Sequence, residues 1–566
     1  MYLYIHGSGL AVEKHWGDIE VEEVSTVGAG RFSRRALFGG AAAAGLAGIA
    51  LPELLGDARA QGRPDATVTW GEDQDYATLD PRVTQSRHEA QAIMQMFESL
   101  LFLDTDGKFY PWLAKRWEYS KDGKSITFHL RNDVKFHDGT PFNGEAVKFT
   151  FDTVMDPKLG SQGAIDFLGP YKSTDMIDPY TVRVNWTEPF AAALTNLSNP
   201  WLCSIVSPAA VAKLGNDGFA RSPAGTGPFK FVEWVPRVRV VMERNEDYRW
   251  APAIFRRQGP ATLKRLVIRI IPDGSTRVAA LEKGEIDVCD QVPPIEVKRF
   301  QGSRDFDVIV GDVSGIPLSH LINTQAPPTD DIRVRQAFMY AINRPQVVQQ
   351  VFFGVAKPAY GPLTPTTPGY WPGAEKMYAY DLAKARQLLE EAGWTPGPGG
   401  IREKNGRRLD IHFITLLEPD LEVAVQAAAK EAGIALNVEK VTKAKQDEMV
   451  MHGQYNMGEI RWVAVDPSVL DIPFFSRNVP APGKFKFNWS RYGSPELDRI
   501  LRQADALVDV KQRQQALAQV QKYVLDHALM FPVHVSIQPV GYRRTVHNLK
   551  FAQGYWQVLF YGTTVS

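Results

Sequence analysis

Residues 266–288, LVIRIIPDGSTRVAALEKGEIDV, hold three structural elements in sequence. Leu266, Ile268 and Ile270 recur at period two, as in a strand with one buried face. Ser275 is placed to cap a helix that carries Val278 and Leu281 on one side, and Gly284 stops it. Ile286, Asp287 and Val288 then return to a strand. A strand, a helix and a second strand this close together predict a crossover between parallel strands, and therefore an α/β fold.

A second such unit follows. Leu409 to Thr415 reads as a strand, and Leu421, Ala424, Val425 and Ala428 mark one helical face. Gly433 ends that helix, and Ile434 to Val438 is the returning strand. Between the units, Asp381 caps a helix with Leu382, Ala385, Leu388, Leu389 and Ala392 on its apolar face, stopped by Gly393. The chain before the first unit is rich in β structure. Ile126, Phe128 and Leu130 alternate within Ser125–Arg131, and Val182, Val184 and Trp186 within Thr181–Thr187. Phe229 to Arg244 reads as a hairpin turning near Pro236 and Arg237. The C-terminal part predicts helix from Pro495 to His527, with Leu497, Ile500, Leu501, Ala504 and Leu507 on one face, and then a strand from Met530 to Ile537. Single cores stop growing at roughly 250–300 residues. The 566 residues therefore predict two α/β lobes with an inserted subdomain.

Composition excludes several functions. Lys+Arg and Asp+Glu both number 64, and no basic block occurs, whereas a nucleic-acid binder needs a cationic surplus. Cys203 and Cys289 are too few for a disulfide framework or a structural zinc site. One bridge and two buried thiols both fit, and sequence separation does not choose between them. There is no H-E-x-x-H, no P-loop, no G-x-S-x-G and no G-x-G-x-x-G after a strand. Catalytic residues, a bound metal and a cofactor are all expected to be absent.

The N-terminus reads as an export signal. Ser33, Arg34 and Arg35 precede an apolar stretch from Ala36 to Leu51, and Ala58-Arg59-Ala60 offers a cleavage site. The paired arginines are twin-arginine-like, but Leu37-Phe38 reverses the usual order and the following lysine is missing, so the general secretory route also fits. No cysteine stands at the cleavage point to carry a lipid. Residues 1–30 include Asp18, Glu20, Glu22 and Glu23, unusual in such a signal, and read as a start codon placed too early. The expectation is a soluble periplasmic protein, cleaved near Ala60.

Several ordered segments together resemble one family. They are Thr78-Leu79-Asp80-Pro81; Pro111-Trp112-Leu113-Ala114 with Trp117 and Asp122-Gly123; and the run from Thr127 to Arg131 with Asp133 to Gly139. Further along are Gly225-Thr226-Gly227-Pro228-Phe229, Gly284-Glu285-Ile286-Asp287, and Asp331 with Arg333, Arg335, Gln336, Ala337, Phe338, Ala341, Ile342, Asn343 and Arg344. With the helix from Tyr380 to Gly393, they resemble the extracellular solute-binding proteins of ABC transporters, in the large dipeptide, oligopeptide and nickel-binding class (family 5). Most of these motifs also read physically as turns, caps and tight bends that specify the fold.

The resemblance implies a type II periplasmic binding protein with two hinge-linked lobes and an extra subdomain. Residues 1–60 would be the signal with its over-extended N-terminus. Residues 61–96 and 216–322 would form lobe I around an inserted subdomain at 97–215. Residues 323–534 would form lobe II, and 535–566 would complete lobe I. The crossings between lobes are expected near His320–Asn323 and Phe531–Ile537.

It also implies a ligand wall at the segment running from Gly458 to Pro467. Trp462 would supply an apolar face, and Arg461 a fork for a carboxylate or phosphate. Peptide-binding members carry an Asp shortly after the Trp, which holds the peptide ammonium; here Val463, Ala464 and Val465 stand instead. Asp466 or Glu459 would have to substitute, so an anionic or neutral polar group is expected at that point. Lobe I would contribute Gln85 and His88. Against these roles, Trp462 also fits a core position, and Arg461 and Asp466 could pair with each other or cap local backbone. The implied function is to capture a peptide-like or other small polar solute as a monomer and deliver it to an inner-membrane ABC permease. Reporting to a chemoreceptor is the alternative, and an enzyme on the same fold is the more distant one.

Overall fold

The strand that begins lobe I, β1 (Thr67–Glu72), buries Val68 and Trp70 and is followed by α1 (Arg87–Met96), capped by Ser86. The computed structural model describes residues 65–566, other than 85, 106, 162, 417–419, 508, 553, 555 and 556. The chain next builds an antiparallel sheet from β2 (Ala114–Tyr119), β3 (Ser125–Leu130), β4 (Tyr171–Asp178) and β5 (Thr181–Trp186), in the order β2-β3-β5-β4. Ile126, Phe128, Leu130, Val182, Val184 and Trp186 are buried, as their period predicted.

The chain returns through the hairpin β6 (Phe229–Val235) and β7 (Arg239–Arg244), with Arg237 at φ 61° in its turn. Then come β8 (Arg265–Ile270), α2 (Gly274–Lys283), β9 (Val288–Cys289) and β10 (Phe306–Asp312). The cap of α2 is Asp273 rather than the expected Ser275: its carboxylate accepts the Thr276 N–H at 2.7 Å. Gly284, at φ 75°, closes the helix as expected.

Lobe II is built from β11 (Gly315–Ile322), β12 (Asp410–Thr415), α3 (Asp420–Glu431), β13 (Ala435–Lys440), β14 (Met457–Val463) and β15 (Met530–His534), and β16 (Ile537–Arg543) returns to lobe I. The first sheet has the order β10-β16-β9-β1-β8-β7-β6, and the second β13-β12-β14-β11-β15. Strands β1, β8 and β9 run parallel, as do β12, β13 and β14.

One boundary differs from expectation. β11 hydrogen-bonds with β14 and β15, so Gly315–Ile322 belongs to lobe II and the first crossing falls at Val313–Ser314. The second, at Val535–Ser536, lies within the expected range and runs beside the first, with the Val313 N–H donating to the Ser536 carbonyl at 2.8 Å. The helix expected from Pro495 to His527 is two helices, Pro495–Ala506 and Val510–Asp526, the second capped by Asp509.

The motifs shared with the family hold the framework. His137 lies 2.9 Å from the Gly227 carbonyl through Nε2, and the Gly225 N–H donates to Nδ1 at 3.3 Å. A Cβ on Gly225 would stand 2.1 Å from the Met96 carbonyl oxygen, a backbone clash that only glycine avoids. Asp331 caps Ile332–Ala341, and Arg335 and Arg344 donate to the backbone carbonyls of Thr329, Asp330, His527, Ala359 and Tyr378. Cys203 and Cys289 are both free and buried, and burial pushes the Cys289 thiol up to about 12. Among the described residues, no helix is long and apolar enough to cross a membrane.

Candidate functional site

Strand β14 carries both residues singled out in lobe II, and alternation sends them to opposite faces. Ile460 and Trp462 pack on the side of Ile316, Leu321 and Phe474, while Glu459 and Arg461 point the other way. Trp462 is half-buried, with its ring edge-on to Phe487 at 5.0 Å. It also lines a cavity of about 480 Å³ between lobe II and the subdomain, facing Phe167, Pro170 and Phe190 together with Val469 and Phe475. The two bodies meet beside it, where the Ala191 N–H donates to the Asp505 carbonyl at 3.0 Å. Trp462 is therefore a wall as well as a packing residue.

Arg461 has an exposed side chain and no hydrogen-bond or ion-pair partner among the described residues. Surrounding protein still acts on it. Burial and then the Arg87 charge hold it below its ordinary pKa, while Glu459 and Asp73 pull the other way. Arg87 and Asp73 belong to the opposite lobe, so Arg461 stands within electrostatic reach of that lobe. Glu459 behind it is raised, by burial first and then by Glu422.

Asp466 caps local backbone, one of the roles open to it from the sequence, as the N-cap of the turn Pro467–Leu470. It does not pair with Arg461 and is not free to meet a ligand cation. Its oxygens accept both Arg513 nitrogens, at 2.9 and 2.7 Å, and the Ser468 N–H at 2.9 Å. Burial opposes its ionisation, but Arg513 outweighs burial and holds it below the usual carboxylate range.

In lobe I, Gln85 lies outside the described residues. His88, in the first turn of α1, sets Nδ1 at 3.1 Å from Glu72 and 2.8 Å from Asp73. Arg87 reaches Asp73 at 3.2 Å and Asp290 at 3.4 Å. Burial and the bond with Asp73 push Glu72 up to about 8, and burial with the Glu72 charge raises Asp290 well above the usual range. These groups stand at the carboxyl ends of β1 and β9, where open α/β sheets receive ligands. The sequence reading missed Glu72, Asp73, Arg87 and Asp290; the available signal was the change from apolar to acidic residues at Glu72-Asp73 and at Asp290.

His534, in the strand beside the crossing, is buried, and burial together with the Arg461 charge lowers it to about 4 from 6.5. Between those values the unfolded chain takes up a proton that the folded one refuses, so stability should rise with pH across this window and be lost as pH falls through it. His534→Asn should flatten the melting temperature between pH 4 and 6.5; an unchanged slope would show that His534 is not the group responsible.

Comparison with known proteins agrees with this architecture. Residues 108–478 match the family described as bacterial extracellular solute-binding proteins, family 5 Middle. The chain is 27% identical to the nickel-binding periplasmic protein of Escherichia coli (strain K12), covering 84% of this chain and 90% of the relative. It is 30% identical to the glutathione-binding protein GsiB of the same strain, covering 81% and 86%. Among solved structures, NikA from Brucella suis in complex with Fe(III)-EDTA superposes with a TM-score of 0.78 at 26% identity, covering 89% of this chain and all of that one. The chain belongs to the family 5 extracellular solute-binding proteins. It is a substrate-binding protein of the ABC-transporter class, in a family that binds solutes and is not enzymatic.

Proposed function

We propose that the chain is the exported, periplasmic substrate-binding component of an ABC importer, and that its solute is small and carries a carboxylate or similar anionic group. The observation that carries this reading is Arg461, an exposed guanidinium with no hydrogen-bond or ion-pair partner among the described residues and within electrostatic reach of Arg87 and Asp73 on the opposite lobe. Arg forks bind carboxylates through two parallel hydrogen bonds. The relatives are named for nickel, glutathione and peptides, so peptide-like molecules and small polar conjugates are the first solutes to try. Val463, Ala464 and Val465 supply no acid after Trp462 and Asp466 is committed to Arg513, so an ammonium there would have to turn to Asp166, Glu188, Asp471 or Asp505 across the cavity. Closure of the lobes about the paired crossings would bury the solute and present it to a membrane permease.

Calorimetry against free dipeptides, their N-acetylated forms and opine-like acids tests the reading. Carboxylate-bearing solutes should bind and their amides should not. Tight binding of free dipeptides with loss on N-acetylation would overturn the charge assignment. Trp462 lies on the other face of β14 and lines the neighbouring cavity, so a solute that reaches round the strand to it should lose about 1–3 kcal/mol in Trp462→Ala, as for a buried aromatic anchor. No loss would confine Trp462 to packing. For export, N-terminal sequencing of periplasmic protein should begin at Gln61, and a chain retaining residues 36–60 would contradict the signal.

A further inference from the structure

We propose that Glu72, Asp73, His88 and Asp290 form a binding site for one divalent transition-metal ion at the cleft-facing end of lobe I. One oxygen or ring nitrogen from each lies within 4.8 Å of all the others. The sheet makes the site: Trp70 and Gly71 pair with Val288 and Cys289, which sets Glu72 beside Asp290 across more than two hundred residues of chain. The helix α1 adds His88 in its first turn.

Groups outside the cluster orient its carboxylates, as the outer partners of metal ligands do. The Trp70 Nε1–H donates to Glu72 Oε2 at 3.2 Å, while Oε1 accepts the Asp73 N–H at 3.1 Å and faces His88. Arg87 donates to both Asp73 oxygens, Oδ2 at 3.2 Å and Oδ1 at 3.4 Å, and Oδ1 also faces the same His88 nitrogen at 2.8 Å. Gln538 Nε2 donates to Asp290 Oδ1, and Arg87 reaches its Oδ2.

An independent observation points into the same space. Tyr76 is 5% exposed, and its hydroxyl is buried with no hydrogen-bond partner among the described residues. Glu72, Asp290, Glu89 and Asp73 are the charges acting on it. A buried hydroxyl without a partner is costly to leave so, and it supplies a fifth oxygen, directly or through a metal-bound water. Asp73 and His88 keep 26% and 10% of their side-chain surface, which opens the site toward the cleft.

The donor set selects the ion. Three carboxylates and one imidazole suit Mn²⁺, Fe²⁺, Ni²⁺ or Zn²⁺, whereas Mg²⁺ and Ca²⁺ favour all-oxygen shells. Arg87 leaves three carboxylates short of positive charge, which a divalent ion would supply. The site would be complete without any solute, so this proposal stands or falls separately from the assignment of Arg461.

The test uses mature protein without an affinity tag, stripped with chelator and titrated calorimetrically with MnCl₂, NiCl₂, ZnCl₂ and MgCl₂, no solute being present. One transition ion per chain should bind at micromolar concentration or below, with Mg²⁺ weaker by about a hundredfold. His88→Ala and Asp73→Asn, at the open side of the site, should each weaken binding by about tenfold or more. No binding at millimolar metal, or unchanged affinity in both variants, would overturn the proposal and leave His88 as a hydrogen-bonded bridge between Glu72 and Asp73. If the variants do not fold, X-ray absorption of zinc-loaded wild-type protein decides: one imidazole among oxygens supports the site, and sulfur or several imidazoles contradict it.

Discussion

Arg513→Ala is expected to destabilise the folded protein by about 3–5 kcal/mol, the cost of leaving a buried charge without its partner. Asp466 is 6% exposed and accepts two hydrogen bonds from Arg513. Without the guanidinium, one N–H, from Ser468, remains for its carboxylate among the hydrogen bonds found here. Urea unfolding of Arg513→Ala, and of the double variant with Asp466→Leu, separates the pair from its parts. The double variant should recover part of the loss, because an apolar pair removes the stranded charge as well as the attraction. A loss below about 1 kcal/mol in the single variant, the range of exposed pairs, would mean that Asp466 is solvated and available to a ligand.

Arg461→Ala should cost a carboxylate-bearing solute about 2–5 kcal/mol of binding, the range for truncating one partner of a desolvated charge pair. A neutral analogue should bind nearly as before. Folding stability should stay within about 0.5 kcal/mol of wild type, as for surface changes away from any special contact, because Arg461 has no hydrogen-bond or ion-pair partner to lose among the described residues. Arg461→Lys keeps the charge but not the planar fork, and should fall between the two. The reverse pattern, stability lost and affinity kept, would make Arg461 a structural residue.

The α/β units were legible because their periods are clean and their ends are marked. Gly284 and Gly433 stop their helices at φ 75° and 88°, and Asp381 caps where expected. The first crossing was not legible. Every residue of β11 is buried, so the strand has no alternation to show which sheet it joins. The end of the first helix at Ala506 was hidden because Leu497, Ile500, Leu501, Ala504 and Leu507 keep a helical period past it; Asp509 caps the next helix.

The candidate residues of lobe II could be named from the sequence, and those of lobe I largely could not. Trp462 and Arg461 sit on one short strand, and period two already implied that they face apart. Glu72 and Asp290 become neighbours through the pairing of β1 with β9, a long-range contact that local pattern does not encode. The commitment of Asp466 to Arg513 was likewise out of reach, since 46 residues separate them and the pair forms only when the C-terminal helix docks.

The central claim is that this chain captures a small anionic solute and leaves it chemically unchanged. Native mass spectrometry of protein freshly purified from the periplasm tests it most directly. The account predicts one small molecule per chain, released on denaturation at the same mass before and after incubation and at much lower occupancy in Arg461→Ala. A molecule converted to a product during incubation, or a protein that arrives empty and takes up none of the carboxylate-bearing solutes offered, would contradict it.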